Sequence, residues 1–220
     1  MEQVLQFLQE LAENNNRDWF EANRTRYTES REKMLFLTDV LINEIRKFDP
    51  EITPMNPKDC LFRIFRDVRF SKDKRPYKTN FGSFIAPGGR KSGHAGYYFH
   101  VEPSVSFVGG GIYMPPAGPL KAIRKHIERH PEEFLGTINH PDFKAIFPGM
   151  MDHQLKTAPK GFAKDHPLIH LLRYKSFAFS ARLNNEILIN GDFIGEAVKA
   201  YRELHKANSF LNEAIDSEKN

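Results

Sequence analysis

Apolar positions recur at helical spacing toward both ends of the chain and alternate with polar ones in its middle. Over residues 2–13, Val4, Leu5, Phe7, Leu8, Leu11 and Ala12 share one face of an amphipathic helix. Asn14-Asn15-Asn16 suits both the end of that helix and the N-cap of the next, and Asp18 would lie in the next helix's first turn, where the dipole favours an anion. The second helical pattern runs from Arg17 to Phe48, with a break. Trp19, Phe20, Ala22, Asn23 and Tyr27 open it; Leu35, Leu37, Thr38, Leu41, Ile42 and Ile45 continue it, and Asp49-Pro50 closes it. Trp19, the single tryptophan, reads as a packing anchor rather than a base-stacking platform.

Residues 50–60 carry Pro50, Pro54 and Pro57 and predict a loop. From Leu61 to Phe70 the chain is rich in aromatic and β-branched residues and predicts a strand. Its alternation places Phe62, Ile64, Arg66, Val68 and Phe70 on one face and Arg63, Phe65, Asp67 and Arg69 on the other. A helix here would instead align Arg63, Arg66 and Phe70. Ser71–Pro76 reads as a turn, Phe81–Ala86 as a strand and Pro87–Gly96 as a loop. Tyr97–Glu102 and Val105–Val108 read as a hairpin around Pro103-Ser104. Gly109-Gly110-Gly111 would interrupt it as a bulge or a point of close packing.

A helix resumes near Pro119, ends near His130-Pro131, and is followed by a short one from Glu132. Pro141 and Pro148 punctuate a loop, and residues 155–164 form another. Asp165 is placed to cap a helix through Arg173, with Pro167 in its first turn. Phe177–Leu183 predicts a last strand, 192–215 a closing helix, and the polar end Asp216–Asn220 disorder. With no internal repeat or linker, the expectation is a single α+β domain over 1–220: helical over 1–49, β-rich over 61–114 and mixed over 119–215. The sheet would be mostly antiparallel, with helices from both chain ends packed on it.

Charge changes this picture at one place. Residues 61–81, LFRIFRDVRFSKDKRPYKTNF, hold seven cations against two acids, a net +5, while the whole chain is +4. The remainder therefore sums to −1, and the basic character belongs to one segment. Arginine forks bind phosphate and carboxylate oxygens two at a time. The stretch therefore predicts an anion site for a phosphorylated or carboxylated small molecule. Arg63, Arg66 and Arg69 would bind it, Lys72, Lys74 and Lys78 attract it, Asp67 orient the arginines and Tyr77 position the ligand. Arg66, on the apolar face, must be paired or bound to an anion. Cations interleaved with aromatics also suit single-stranded nucleic acid, although the slightly acidic remainder argues against a broad footprint. The third reading is a non-catalytic interaction or scaffold protein whose cations form internal pairs.

His100 and Glu102 share a strand face two residues apart and are the candidates for proton transfer. His126/His130 and His166/His170 have i, i+4 spacing, but neither pair carries the glutamate of HExxH, and no metal is expected. Residues 78–85 lack the glycine of the RRM aromatic strand, and Gly89-Arg90-Lys91-Ser92 lacks the Walker spacing. There is no nucleophile elbow and no dinucleotide-binding glycine pattern, so no motif names a reaction or a cofactor. The single cysteine, Cys60, excludes an internal disulfide, suits a reducing cytoplasm and reads as a small buried thiol. Glu2 directly after Met1 predicts no signal peptide, and no apolar run approaches the ~20 residues of a membrane span.

The run FRIFRDVRFSKDKRPYKTNF, with NNNRDWFEANRTRY at 14–27, YYFHVEP, GGGIYMP and LKTAPKGFAKDHPLIHLLRYKS at 155–176, resembles domain-of-unknown-function family 2461. These are conserved hypothetical proteins, mostly bacterial and also found in fungi. The resemblance spans nearly the whole chain and implies a single domain. It carries over no activity, substrate or catalytic residue. It implies that Arg63, Arg66, Asp67, Arg69, Lys72, Asp73, Lys74, Pro76, Tyr77 and Lys78 belong to the family's defining stretch.

Overall fold

The structure is a computed structural model and describes residues 1–217. In chain order the elements are α1 (Glu2–Glu13), α2 (Arg17–Ala22), α3 (Arg24–Ile45), α4 (Pro57–Cys60), β1 (Phe81–Ile85), β2 (Gly96–Val101), β3 (Ser106–Ile112), α5 (Ala117–Arg129), α6 (Pro131–Ile138), α7 (Pro141–Ile146), α8 (Ile169–Leu172), β4 (Phe177–Leu183), α9 (Asn185–Ile189) and α10 (Phe193–Asp216). The four strands form one antiparallel sheet in the order β1-β2-β3-β4, with helices from both ends of the chain packed on it, so the fold is α+β. No helix among the described residues is long and apolar enough to cross a membrane.

The chain forms two compact units. The first comprises Met1–Ile85, Tyr98–Val108 and Arg182–Val198. Here α1 buries Val4, Leu5, Phe7, Leu8 and Leu11, the face that the 3.6-residue period predicts. Asn16 caps α2 by accepting from the Trp19 N–H, and the expected break falls at Asn23. Trp19 stacks on Phe7, with ring centroids 6.0 Å apart, as a packing anchor. Thr38, buried on α3, donates to Ser83 of β1 at 3.2 Å.

The second unit comprises Ala86–Tyr97, Gly109–Ala181 and Lys199–Asn220. Its core gathers Ile123 and Ile127 of α5, Phe134 of α6, Phe177 of β4 and Phe210 and Leu211 of α10. β3 runs unbroken through its three glycines, so of the two expectations close packing is the one found. A Cβ on Gly111, at φ +93°, would lie 2.1 Å from the Phe177 carbonyl oxygen, and one on Gly109 2.2 Å from that of Phe179. β3 and β4 can approach this closely only without those side chains.

Other segments depart from the sequence pattern. Leu61–Phe70 is neither strand nor helix: it is extended chain with isolated bridges at Leu61–Ser83 and Phe65–Tyr77. The ladder fails because Pro76 has no N–H to return, and because Asp67 and Asp73 accept from the backbone N–H groups of Arg69 and Arg75, satisfying the chain locally. Residues 141–146 form α7, with Pro141 at its first position, where proline loses nothing. α8 begins only at Ile169; the His166 ring, not Asp165, accepts a backbone N–H there, that of Leu168. Two short helices arise where none was expected, α4 and α9, each opened by an asparagine cap, Asn56 and Asn184. Of the polar end, Asp216 belongs to α10, and residues 218–220 lie outside the described residues.

Candidate functional site

Both groups of nominated residues belong to the first unit, and they have different surroundings. The cationic stretch folds into a loop that pairs with itself. Asp73 accepts from Arg66 Nη1 at 2.6 Å and from Arg75 Nη2 at 2.8 Å. Asp67 accepts from Arg69 through Nε at 3.0 Å and Nη2 at 2.7 Å. Arg75 first, then Arg66, hold the Asp73 carboxyl well below the usual carboxylate range, and Arg69 does the same for Asp67. Arg66 keeps only 24% of its side chain exposed and also donates to the Arg75 carbonyl, so the guanidinium on the apolar face is paired within the loop. Lys74 Nζ donates to the Val68 carbonyl at 3.0 Å, while Arg63 and Lys72 are exposed.

Tyr77 anchors this loop. Its ring stacks on Phe20 at 3.9 Å between centroids, and Asn15 both donates to its carbonyl and accepts from its N–H, each at 3.0 Å. Burial, aided by Glu21, raises its pKa. The ring is 4% exposed and packs in the core. The alternation of burial survives without a ladder: Ile64, Arg66 and Val68 turn inward, and Arg63, Phe65, Asp67 and Arg69 outward. It ends at Phe70, which departs from the apolar face and is 97% exposed.

The second group stands on β2. Tyr97, Phe99 and Val101 are buried, so Tyr98, His100 and Glu102 occupy the alternate face. There they form one hydrogen-bonded chain. His100 Nε2 donates to Glu102 Oε2 at 3.1 Å, Tyr98 donates to His100 Nδ1 at 3.0 Å, and Thr79 donates to Glu102 Oε1 at 2.7 Å. Asn80 Nδ2 also reaches His100 Nδ1, at 3.4 Å. These donors assign a neutral imidazole with its proton on Nε2. The ring is clamped by Phe107, stacked at 4.7 Å and 11°. Ser106 fixes the turn after β2 by bonding both the N–H and the carbonyl of Glu102.

Burial lowers the His100 pKa, the bond to Glu102 opposes that, and Lys78 lowers it further. Burial and the Glu102 charge push the Tyr98 phenol up to about 12, so at neutral pH it is a proton donor. Lys78 lies over Phe62 at 5.4 Å, and Phe62 packs edge-on against Tyr98 at 6.2 Å. Of the nominated residues, His100 and Glu102 therefore bond to each other with Lys78 linked to them through Phe62 and Tyr98, whereas Arg66, Asp67, Arg69 and Lys74 are engaged within the loop. His100 and Glu102 keep 15% and 27% of their side chains exposed, so the chain of bonds is open at its edge.

Sequence reasoning passes over Tyr98, Thr79 and Asn80. Tyr98 shares the parity of His100 and Glu102, a signal available in YYFHVE. Thr79 and Asn80 join across 23 and 20 positions and carry no local signal. Gly82 completes the arrangement, since a Cβ there would lie 2.3 Å from the Tyr98 hydroxyl. A hollow of about 330 Å³ between α1 and α3, lined by Gln3, Gln6, Glu10, Arg26, Glu29 and Lys33, contains none of these residues. Its central charges, Arg26 and Glu10, pair across it at 2.6 Å. Among the described residues no group of three or more His, Cys, Asp or Glu is placed to hold a metal ion.

Neither any curated protein nor any solved structure matches the chain. One family model does, over residues 3–210, and by that match the chain belongs to the family described as conserved hypothetical protein (DUF2461).

Proposed function

We propose that the protein binds a small phosphorylated or carboxylated ligand on the polar face of β1 and β2, and transfers a proton to or from it. The observation that carries this reading is the continuous chain Thr79–Glu102–His100–Tyr98, open to solvent at its edge, with the Lys78 ammonium over the Phe62 ring that packs on Tyr98. Lys78 meets the ligand's anionic group. Tyr98, protonated at neutral pH, relays the proton: its hydroxyl oxygen takes one from the ligand as its own passes to His100 Nδ1, and the reverse step returns it. His100, neutral and unprotonated at Nδ1, is the acceptor, and Glu102 holds the ring and stabilises the imidazolium when it forms. The exposed cations Arg63 and Lys72 raise the local anion concentration. A reducing cytoplasm is the compartment that the single, buried Cys60 fits.

The test is the melting temperature at low salt against phosphate, sulfate, nucleotides, sugar phosphates and dicarboxylates. A ligand that binds only the folded state raises it by mass action. The expected result is a rise for one class of small anion, kept in Arg69→Ala and lost in Lys78→Ala. The opposite pattern would put the anion on the loop, and no rise for any member would overturn the proposal.

A further inference from the structure

The loop from Asp67 to Arg75 is built as a braced finger with an aromatic tip. Each of its two acids grips the arginine two residues on, through the backbone N–H and through Nε and Nη2. Asp73 adds Arg66, and Lys74 ties back to the Val68 carbonyl. These bonds stiffen the turn without contacts from other elements. They leave Phe70 97% exposed at the tip, with the Arg69 guanidinium 5.9 Å from its ring centroid. Arg69 and Arg75 keep 76% and 56% of their side chains in solvent. Lys72 and Arg63 are exposed and enter no ion pair among the described residues.

A fully exposed phenylalanine gains nothing for the fold, and here it projects from the one strongly positive segment of the chain. An aromatic face flanked by cations is complementary to an unpaired base flanked by phosphates. A paired duplex offers no free base to such a ring, and a lone aromatic buries too little apolar area to hold a bilayer. Because residues outside 61–81 sum to −1, contact is confined to a few nucleotides.

We propose that the 63–75 segment is a docking surface for single-stranded nucleic acid, with one base stacked on Phe70 and adjacent phosphates met by Arg63, Arg69, Lys72 and Arg75. It rests on a different observation from the small-anion site, the exposure of Phe70 beside Arg69.

Fluorescence anisotropy of a labelled oligothymidylate of about ten nucleotides tests it. For four phosphate contacts on a single strand, log K should fall with log salt at a slope of about −3. Phe70→Ala should weaken binding about tenfold, and Phe70→Trp should restore it. Lys72→Ala should make the salt slope shallower by about 0.7. Every substituted side chain is exposed, so folding is not at issue, and an unchanged melting temperature confirms that. Three results would each overturn the proposal: no binding at low salt, equal affinity for wild type and Phe70→Ala, or a hairpin duplex bound as tightly as the single strand. Phe70-dependent binding to phosphatidylserine vesicles without oligonucleotide binding would assign the finger to a lipid surface instead.

Discussion

The loop at 66–75 and the polar face of β2 both concentrate ionisable groups, but water treats them differently. On the loop, carboxylates and guanidiniums pair in the open, where solvent and salt screen them and their geometry shapes the turn more than it stabilises the fold. On β2, fewer groups stand half-buried between Phe107 and Tyr98, and each bond replaces one that water would otherwise make. The dense charge is therefore cheap to alter and the sparse charge is not. A count of cations along the chain points to the first region, while the histidine–carboxylate pair joined by a hydrogen bond lies in the second.

The largest effect should come where the loop is fastened. Tyr77→Ala removes the ring stacked on Phe20 and should cost about 3–5 kcal/mol, as large-to-small core changes do. Chemical denaturation would measure it, and a cost close to zero would show that the loop does not depend on this foothold. Next comes the β2 face. His100→Ala leaves Tyr98 and Glu102 without their shared partner and should cost about 1–3 kcal/mol. Glu102→Gln removes the charge that, with burial, holds the Tyr98 phenol at about 12, and should bring it part of the way back toward the ordinary phenol value near 10. Ultraviolet titration of tyrosinate would follow this.

The pH dependence is a finer instrument. The folded His100 has a pKa below the ordinary 6.5, chiefly through burial, and so does His126. The unfolded chain therefore binds these protons more readily. Stability from both groups is full above about pH 6.5 and is lost as pH falls through that value toward their lower folded pKa values. His100→Gln should flatten part of this slope, leaving the contribution of His126. Melting temperatures across that window would decide it, and a wild-type profile flat below pH 6.5 would refute it. The smallest effect belongs to the loop: Arg69→Ala should leave the melting temperature unchanged, because its pair with Asp67 is solvated.

These contrasts explain what the sequence disclosed. Where backbone bonds are regular, periodicity suffices: α1, β4 and the parity of His100 and Glu102 are all legible, as is a break within 17–48 although not its place at Asn23. It fails where side chains take over the backbone's bonding. Asp67 and Asp73 cap their own turns and dissolve the strand expected at 61–70, and His140 and His166 bond to the backbone at the starts of α7 and α8. The fate of Phe70 was hidden for the same reason, because alternation has no meaning once the ladder stops. Thr79 and Asn80 reach Glu102 and His100 only through strand pairing, which no local pattern records.

The central claim, an anion bound beside the β2 proton-transfer chain, is tested most directly by an NMR titration of the His100 ring. Its imidazole pKa would be followed with and without inorganic phosphate, in wild type and in Lys78→Ala. An anion held at Lys78 favours the imidazolium, so the His100 pKa should rise on phosphate addition in wild type and stay fixed in Lys78→Ala. A His100 titration curve that phosphate leaves unmoved in wild type would contradict the account.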